Sequence, residues 1–98
     1  MQNAKVLIVD DNEDVLLAAR LLLKSQAGII DVEKDPGKIL KHLDNKEYDV
    51  IFLDMNFTQD MTSGQEGFYW LKQILQISPH AVVILITSRK KLLILALQ

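Results

Sequence analysis

The chain has 98 residues, enough for one small domain with a single hydrophobic core. It is 49% hydrophobic and 24% charged with a formal net charge of -2, and this mildly acidic balance argues against direct binding to nucleic acid. The absence of cysteine excludes disulfide bonds and thiolate metal sites, and it favours a cytoplasmic location.

The first predicted elements are a strand and a helix. Residues 5–9 form an apolar, β-branched-rich run that is typical of a strand buried on both faces. The run stops at Asp10, so it is too short for a signal peptide or a membrane span. Residues 15–24 are rich in Leu and Ala and predict a helix, with Asn12 and Asp14 at the positions of a cap and a first-turn acid.

A second strand and a second helix are predicted next. Residues 29–33 form a short apolar run that indicates a strand. Asp35 and Pro36 then have the character of a helix N-cap and a first helical residue. The apolar stripe of this helix consists of Ile39, Leu40 and Leu43.

The central strand is predicted at residues 50–53 and stops on Asp54. A polar, glycine-containing stretch at 56–67 indicates a flexible connection. Residues 82–86 predict a fourth buried strand, which Thr87 follows. Between them, a third helix is marked by Phe68, Leu71, Ile74 and Leu75 and closed by Ser78-Pro79.

This order of elements predicts an α/β fold with a parallel sheet, right-handed crossovers and helices on both faces. Ligand sites in such sheets lie beyond the carboxyl ends of the strands. Four polar residues fall at those ends, namely Asp10, Asp11, Asp54 and Thr87. We therefore expect them to meet at one edge of the sheet.

Three of these residues, Asp10, Asp11 and Asp54, carry carboxylates that would repel one another without a cation. Mg²⁺ is the usual occupant of such a cluster, because it is bound through oxygen and keeps water and phosphate oxygens in its shell. The cluster thus points to phosphoryl chemistry. Each residue also has a plainer explanation, since acids suit helix starts and turns and Thr87 would cap a following helix. His42 and His80 are isolated, and we expect a solvated or surface position for each rather than metal ligation.

Three ordered motifs resemble the receiver domain of two-component response regulators, over residues 5–88. They are Val9-Asp10-Asp11-Asn12, Tyr48-Asp49-Val50-Ile51-Phe52-Leu53-Asp54-Met55 and Val83-Ile84-Leu85-Ile86-Thr87-Ser88. A further stretch is similar to the receivers of AAA+ enhancer-binding (NtrC-like) regulators. It comprises Asp54-Met55-Asn56-Phe57, with Ser63-Gly64 and Glu66-Gly67.

The resemblance implies a flavodoxin-like, three-layer fold and a role for each matching residue. Asp54 matches the phosphoacceptor, and Asp10 and Asp11 match the acidic pair that binds Mg²⁺. Thr87 matches the hydroxyl that contacts the phosphoryl group, and the backbone carbonyl of Asn56 matches a further metal ligand. The implied partners are a sensor histidine kinase and, in a full-length protein, a DNA-binding or ATPase output domain. Such a module is a signalling domain rather than an enzyme, with at most its own phosphorylation and dephosphorylation.

The chain departs from the family pattern near its C-terminus. A complete receiver continues through a fourth helix, a fifth strand and a fifth helix, so we expect residues 1–98 to be a single, incomplete domain. Its sheet is predicted to have the order 2-1-3-4 without a fifth strand. The apolar run at 92–97 predicts a helix buried by a partner, an edge strand beside the fourth strand, or a tail altered by truncation. An exposed edge and an apolar tail favour a homodimer or a swapped oligomer.

Two other functions compete with a phosphorylatable receiver. One is an inert pseudo-receiver that acts through protein interactions, because the lysine of the family's fifth strand has no counterpart here. The other is a metal-dependent phosphatase resembling the haloacid dehalogenases, but these have a second Asp where this chain has Asn56. A nucleotide-binding fold is less favoured, because no glycine-rich loop follows the first strand.

Overall fold

The computed structural model describes residues 3–54, 65–86 and 92–96, of which 65, 66 and 92–96 are described by their backbone alone. The strands are β1 Lys5–Val9, β2 Ile29–Glu33, β3 Val50–Asp54, β4 Val82–Ile86 and β5 Leu92–Ala96. The helices are α1 Glu13–Leu23, α2 Ile39–Asn45 and α3 Gln65–Ile77, and a 3₁₀ turn at Pro36–Lys38 precedes α2.

The strands form one sheet in the order β2-β1-β3-β4-β5, and β1 to β4 are all parallel. This confirms the predicted α/β, flavodoxin-like fold and the order 2-1-3-4. Central strands of such a sheet are buried on both faces, which explains why β1 and β3 are continuous apolar runs. The main chain of Val9 lies opposite Leu53, so β1 and β3 end side by side.

One feature of the predicted sheet needs correction, because a fifth strand is present. Leu92–Ala96 pairs antiparallel with β4, with Leu92 opposite Ile86 and Ala96 opposite Val82. The tail is therefore the edge strand among the three predicted alternatives. Its pairing satisfies backbone groups of β4 that a four-stranded sheet would leave exposed at the edge.

The two faces of the sheet carry different helices, because successive strand residues point to opposite sides. On one face α2 and α3 pack over the larger core, and on the other α1 packs over a smaller one. The larger core contains Leu7, Val9, Ile39, Leu43, Tyr48, Ile51, Leu53, Leu71, Ile74, Ala81, Val83 and Leu85. The smaller core contains Val6, Ile8 and Leu16. Among the described residues, no helix is long and apolar enough to cross a bilayer.

Side-chain caps define where α1 and the 3₁₀ turn begin. The Asn12 carboxamide oxygen accepts hydrogen bonds from the backbone N–H groups of Asp14 and Val15, at 2.9 and 3.3 Å. The helix consequently starts at Glu13, two residues before the predicted start. Asp35 accepts a bond of 2.8 Å from Gly37 N–H, as an N-cap should. The first turn after it is 3₁₀ rather than the predicted α-helix.

Candidate functional site

Two buried carboxylates lie at the carboxyl edge of the sheet. Asp54 is the last residue of β3, and Asp10 directly follows β1, the neighbouring parallel strand. Their exposed fractions are 8% and 5%. Among the described residues, no other polar or charged side chain is buried to this degree apart from the Tyr48 phenol. Charged side chains are seldom buried without a partner or a function, so this edge is the place to look for a site.

Asp11 completes an acidic cluster with these two residues. One carboxylate oxygen from each of Asp10, Asp11 and Asp54 lies within 4.8 Å of the other two. Asp11 is exposed, so the cluster opens to solvent on its side. The predicted meeting of the three carboxylates at one sheet edge is thus what the structure has.

The backbone around Asp10 fixes the direction of its side chain. Asp10 Oδ1 accepts a hydrogen bond of 2.9 Å from Asn12 N–H. The N–H of Asp10 itself donates to the main-chain oxygen of Glu33 at the end of β2, at 3.0 Å. Asn12 also caps α1. The end of β1, the acidic pair and the start of α1 therefore form one hydrogen-bonded turn.

The electrostatics of the cluster favour a cation. Burial raises the pKa of Asp10 above its usual range, and the charge of Asp11 adds to that effect. The hydrogen bond from Asn12 N–H works in the opposite direction but does not cancel it. Ionised Asp10 is therefore unfavourable in the folded chain until positive charge approaches. Three carboxylate oxygens, two of them on buried side chains, are a donor set that fits a hard divalent cation such as Mg²⁺.

Two further predicted site residues, Asn56 and Thr87, lie outside the described residues. The described part of β4 ends at Ile86, whose main chain lies opposite Asp54. The roles that the resemblance implies for Asn56 and Thr87 stay predictions.

Comparison with known families decides what kind of domain carries this cluster. The family model for the response regulator receiver domain matches residues 6–97. The chain belongs to the response regulator receiver domain family. A search of curated proteins gave no significant match.

Two solved structures share the receiver fold. One is the RcsB response regulator of Salmonella typhimurium, described for its conformational dynamism in DNA interaction. It is 24% identical with a TM-score of 0.72, and the match covers 89% of this chain and 44% of that one. The other is the isolated receiver domain of RcsB from Salmonella enterica serovar Typhimurium in the presence of the phosphomimetic BeF3-. It is 23% identical with a TM-score of 0.72, and the match covers 88% of this chain and 62% of that one. The receiver described here spans less than two thirds of either chain.

A second group of acids in this receiver was not predicted from the sequence. Asp31 and Glu33 are two residues apart on β2, so both point to the same face of the sheet, the one that carries α2. Asp31 Oδ2 accepts bonds from Lys46 Nζ at 2.8 Å and from the Tyr48 hydroxyl at 2.5 Å. Glu33 Oε1 lies 2.9 Å from His42 Nε2 on α2.

His42 lies at the surface but is less solvated than expected, because this contact leaves its side chain 27% exposed. His80 is exposed, as predicted. The signal available in the sequence was the alternation of acids on a strand followed by basic residues on the next helix.

The pKa values of this second group are shifted in the directions expected of paired charges. Burial raises the pKa of Asp31, but the hydrogen bonds from Lys46 and Tyr48 outweigh it and the net shift is downward. Burial likewise opposes a net downward shift at Glu33, which follows from the bonds donated by His42 and by Asp35 N–H. Burial, with the hydrogen bond to Asp31, raises the pKa of the Tyr48 phenol. Both acids are thus held ionised by the fold.

Proposed function

We propose that this receiver accepts a phosphoryl group on Asp54 from the phosphohistidine of a sensor histidine kinase. The supporting observation is the cluster itself, in which Asp54 ends the central strand beside two further carboxylates. A buried carboxylate at a strand end, held close to a candidate cation site, has the placement that a nucleophile on phosphorus needs.

In the proposed transfer, a carboxylate oxygen of Asp54 attacks phosphorus in line with the bond to the histidine nitrogen. The O–P bond forms as the N–P bond breaks, and the electron pair of that bond returns to the imidazole. Asp10 and Asp11 would hold the cation together with Asp54, and the backbone carbonyl of Asn56 would add a further ligand. Bound Mg²⁺ would offset the negative charge of the carboxylates and phosphoryl oxygens.

Thr87 is the residue proposed to sense the product. Its hydroxyl would donate a hydrogen bond to a phosphoryl oxygen, a contact that only the phosphorylated state offers. A hydrogen bond to a charged group is worth about 1.5–3 kcal/mol, comparable with the gap between two states of a regulatory domain. The output that we propose is a transcriptional one, through a DNA-binding or ATPase domain in the full-length protein, in the cytoplasm and with no nucleic-acid contact by the receiver itself.

An inert receiver is the competing proposal, and one observation favours it. The edge strand β5 consists of Leu92-Leu93-Ile94-Leu95-Ala96, with no lysine to pair with a phosphoryl group. Such a domain would keep the fold and act by binding a kinase or a second copy through its exposed edge.

Intact-mass measurement after incubation with Mg²⁺ and acetyl phosphate separates the two proposals. We expect a single phosphate adduct on the native chain, none after Asp54→Asn, and none when EDTA replaces Mg²⁺. Asp49→Asn is the matched control. Asp49 lies just before the N-terminal end of β3, at the opposite end of the strand from Asp54, so its substitution should leave the adduct unchanged. An equal adduct in Asp54→Asn contradicts the assignment, and no adduct on the native chain favours the inert receiver.

A further inference from the structure

Glu33 connects the acidic cluster to α2, and nothing in the proposed transfer uses it. Its main-chain oxygen accepts the hydrogen bond from Asp10 N–H, at 3.0 Å. Val9 lies opposite Glu33 at the end of the β1–β2 register, so this bond is the last main-chain hydrogen bond between the two strands before the cluster. The position of the Asp10 backbone therefore depends on where β2 ends.

The side chain of Glu33 is held at both of its oxygens. Oε1 accepts a bond of 2.9 Å from His42 Nε2, and Oε2 accepts one of 3.0 Å from Asp35 N–H. The first bond reaches α2, and the second holds the loop that leads into it. Only 14% of the Glu33 side chain and 27% of the His42 side chain are exposed, so water competes little for these bonds.

We infer that Glu33 and His42 are positioning residues for Asp10. The bond between their side chains fixes the end of β2 against α2, and the fixed carbonyl of Glu33 sets the Asp10 main chain from which the carboxylate projects. This inference rests on the proposed function for its consequence, which is that the pair increases the affinity of the site for the cation without contacting the cation. Residues that hold metal ligands in place commonly influence metal affinity in this way.

The same strand supplies an internal comparison. Asp31 lies two residues before Glu33, on the same face, and pairs with Lys46 at the far end of α2. Its main-chain neighbour on β1 is Leu7, three residues before Asp10. Loss of the Lys46 bond should loosen the contact between α2 and β2 without reaching the end of the strand.

The test compares three variants of the full chain: His42→Leu, His42→Gln and Lys46→Met. Leu removes the donor to Glu33, Gln keeps a donor on a side chain of similar length, and Met removes the cation from Asp31. In metal-free protein, we expect faster hydrogen exchange at the Asp10 amide in His42→Leu, near-native exchange in His42→Gln, and no specific change in Lys46→Met. Exchange at the buried amide of Ile51 serves as the reference for global stability.

Calorimetric Mg²⁺ titration then measures the consequence. We expect His42→Leu to raise the Mg²⁺ Kd severalfold, below the roughly tenfold loss typical of direct partners of a metal ligand. His42→Gln should restore the native Kd, and Lys46→Met should keep it. Unchanged Asp10 exchange in His42→Leu, or an equal change in Lys46→Met, overturns the inference. If Asp10 exchange responds as expected but the native chain binds no Mg²⁺, the proposed function fails while the positioning of Asp10 by the pair stands.

Discussion

Two groups of acids lie within one small sheet and are held in opposite ways. On β2, Asp31 and Glu33 accept hydrogen bonds from lysine, tyrosine and histidine side chains, and their pKa values are lowered although burial opposes this. At the carboxyl edge, burial raises the pKa of Asp10, and the neighbouring charge of Asp11 raises it further.

The difference separates two acids whose charge stabilises the fold from an acid whose charge the fold disfavours, as is expected of a binding site. The folded state favours the ionised forms of Asp31 and Glu33, so these residues add to stability at neutral pH. The folded state disfavours ionised Asp10, so this residue lowers the stability of the metal-free domain at neutral pH. Perturbed groups of the second kind are characteristic of functional sites. The four predictions below test this division.

The largest effect should come from removing a proposed cation ligand. Asp11→Asn deletes one charge of the cluster, and we expect a rise in the Mg²⁺ Kd of roughly tenfold or more, because even residues that only support a ligand are commonly worth that much. Asp14→Asn is the matched control, since Asp14 is also exposed, lies in the first turn of α1 and outside the cluster. Equal affinities for the two variants, measured by calorimetry, would remove Asp11 from the site.

The next largest effect should fall on stability rather than on binding. Tyr48→Phe deletes the hydroxyl that donates to Asp31 from a ring that is only 5% exposed. A hydrogen bond to a charged group suggests a loss of about 1.5–3 kcal/mol in the free energy of unfolding by urea. Tyr69→Phe, on an exposed ring, should change little, and both variants should bind Mg²⁺ as the native chain does. A Tyr48→Phe variant as stable as Tyr69→Phe contradicts the structural role of this pair.

A smaller effect concerns the pH dependence of stability. Asp31 and Glu33 have lowered pKa values in the fold, so their contribution is complete above the ordinary carboxyl range, near pH 4, and is lost as the pH falls toward the folded values. Asp10 affects stability in the opposite direction. Its pKa is raised in the fold, so the folded chain binds this proton at a higher pH than the unfolded chain does and gains stability as the pH falls. Between pH 6 and pH 3, urea midpoints of metal-free protein should therefore fall less steeply in Asp31→Asn and more steeply in Asp10→Asn. The same slope in both variants would mean that the two groups do not differ.

Much of the fold and the centre of the site follow from the sequence. Apolar runs that stop on Asp10 and Asp54 indicate buried parallel strands, and the resemblance to receiver domains implies their order 2-1-3-4. Parallel strands end at one edge and this order makes β1 and β3 neighbours, so the meeting of Asp10, Asp11 and Asp54 needed no knowledge of side-chain packing.

Other features depend on information that the sequence does not carry locally. An apolar run such as 92–97 has neither helical nor strand periodicity, so three alternatives stayed open until β5 was seen to pair with β4. The bond between Glu33 and His42 joins different elements, and it requires the rotation of α2 that places His42 over β2. Partial burial of His42 follows from that contact and not from its neighbours in the chain.

The most direct test of the division between the two groups of acids is the unfolding free energy of Asp10→Asn with and without Mg²⁺. The amide keeps an acceptor for Asn12 N–H but removes the buried charge, so the metal-free variant should be more stable than the native chain. Saturating Mg²⁺ should stabilise the native chain, by about 2.7 kcal/mol at one hundred times Kd, and the variant far less, so that the order of stabilities reverses. A metal-free variant less stable than the native chain, or an equal gain from Mg²⁺ in both, would contradict the account.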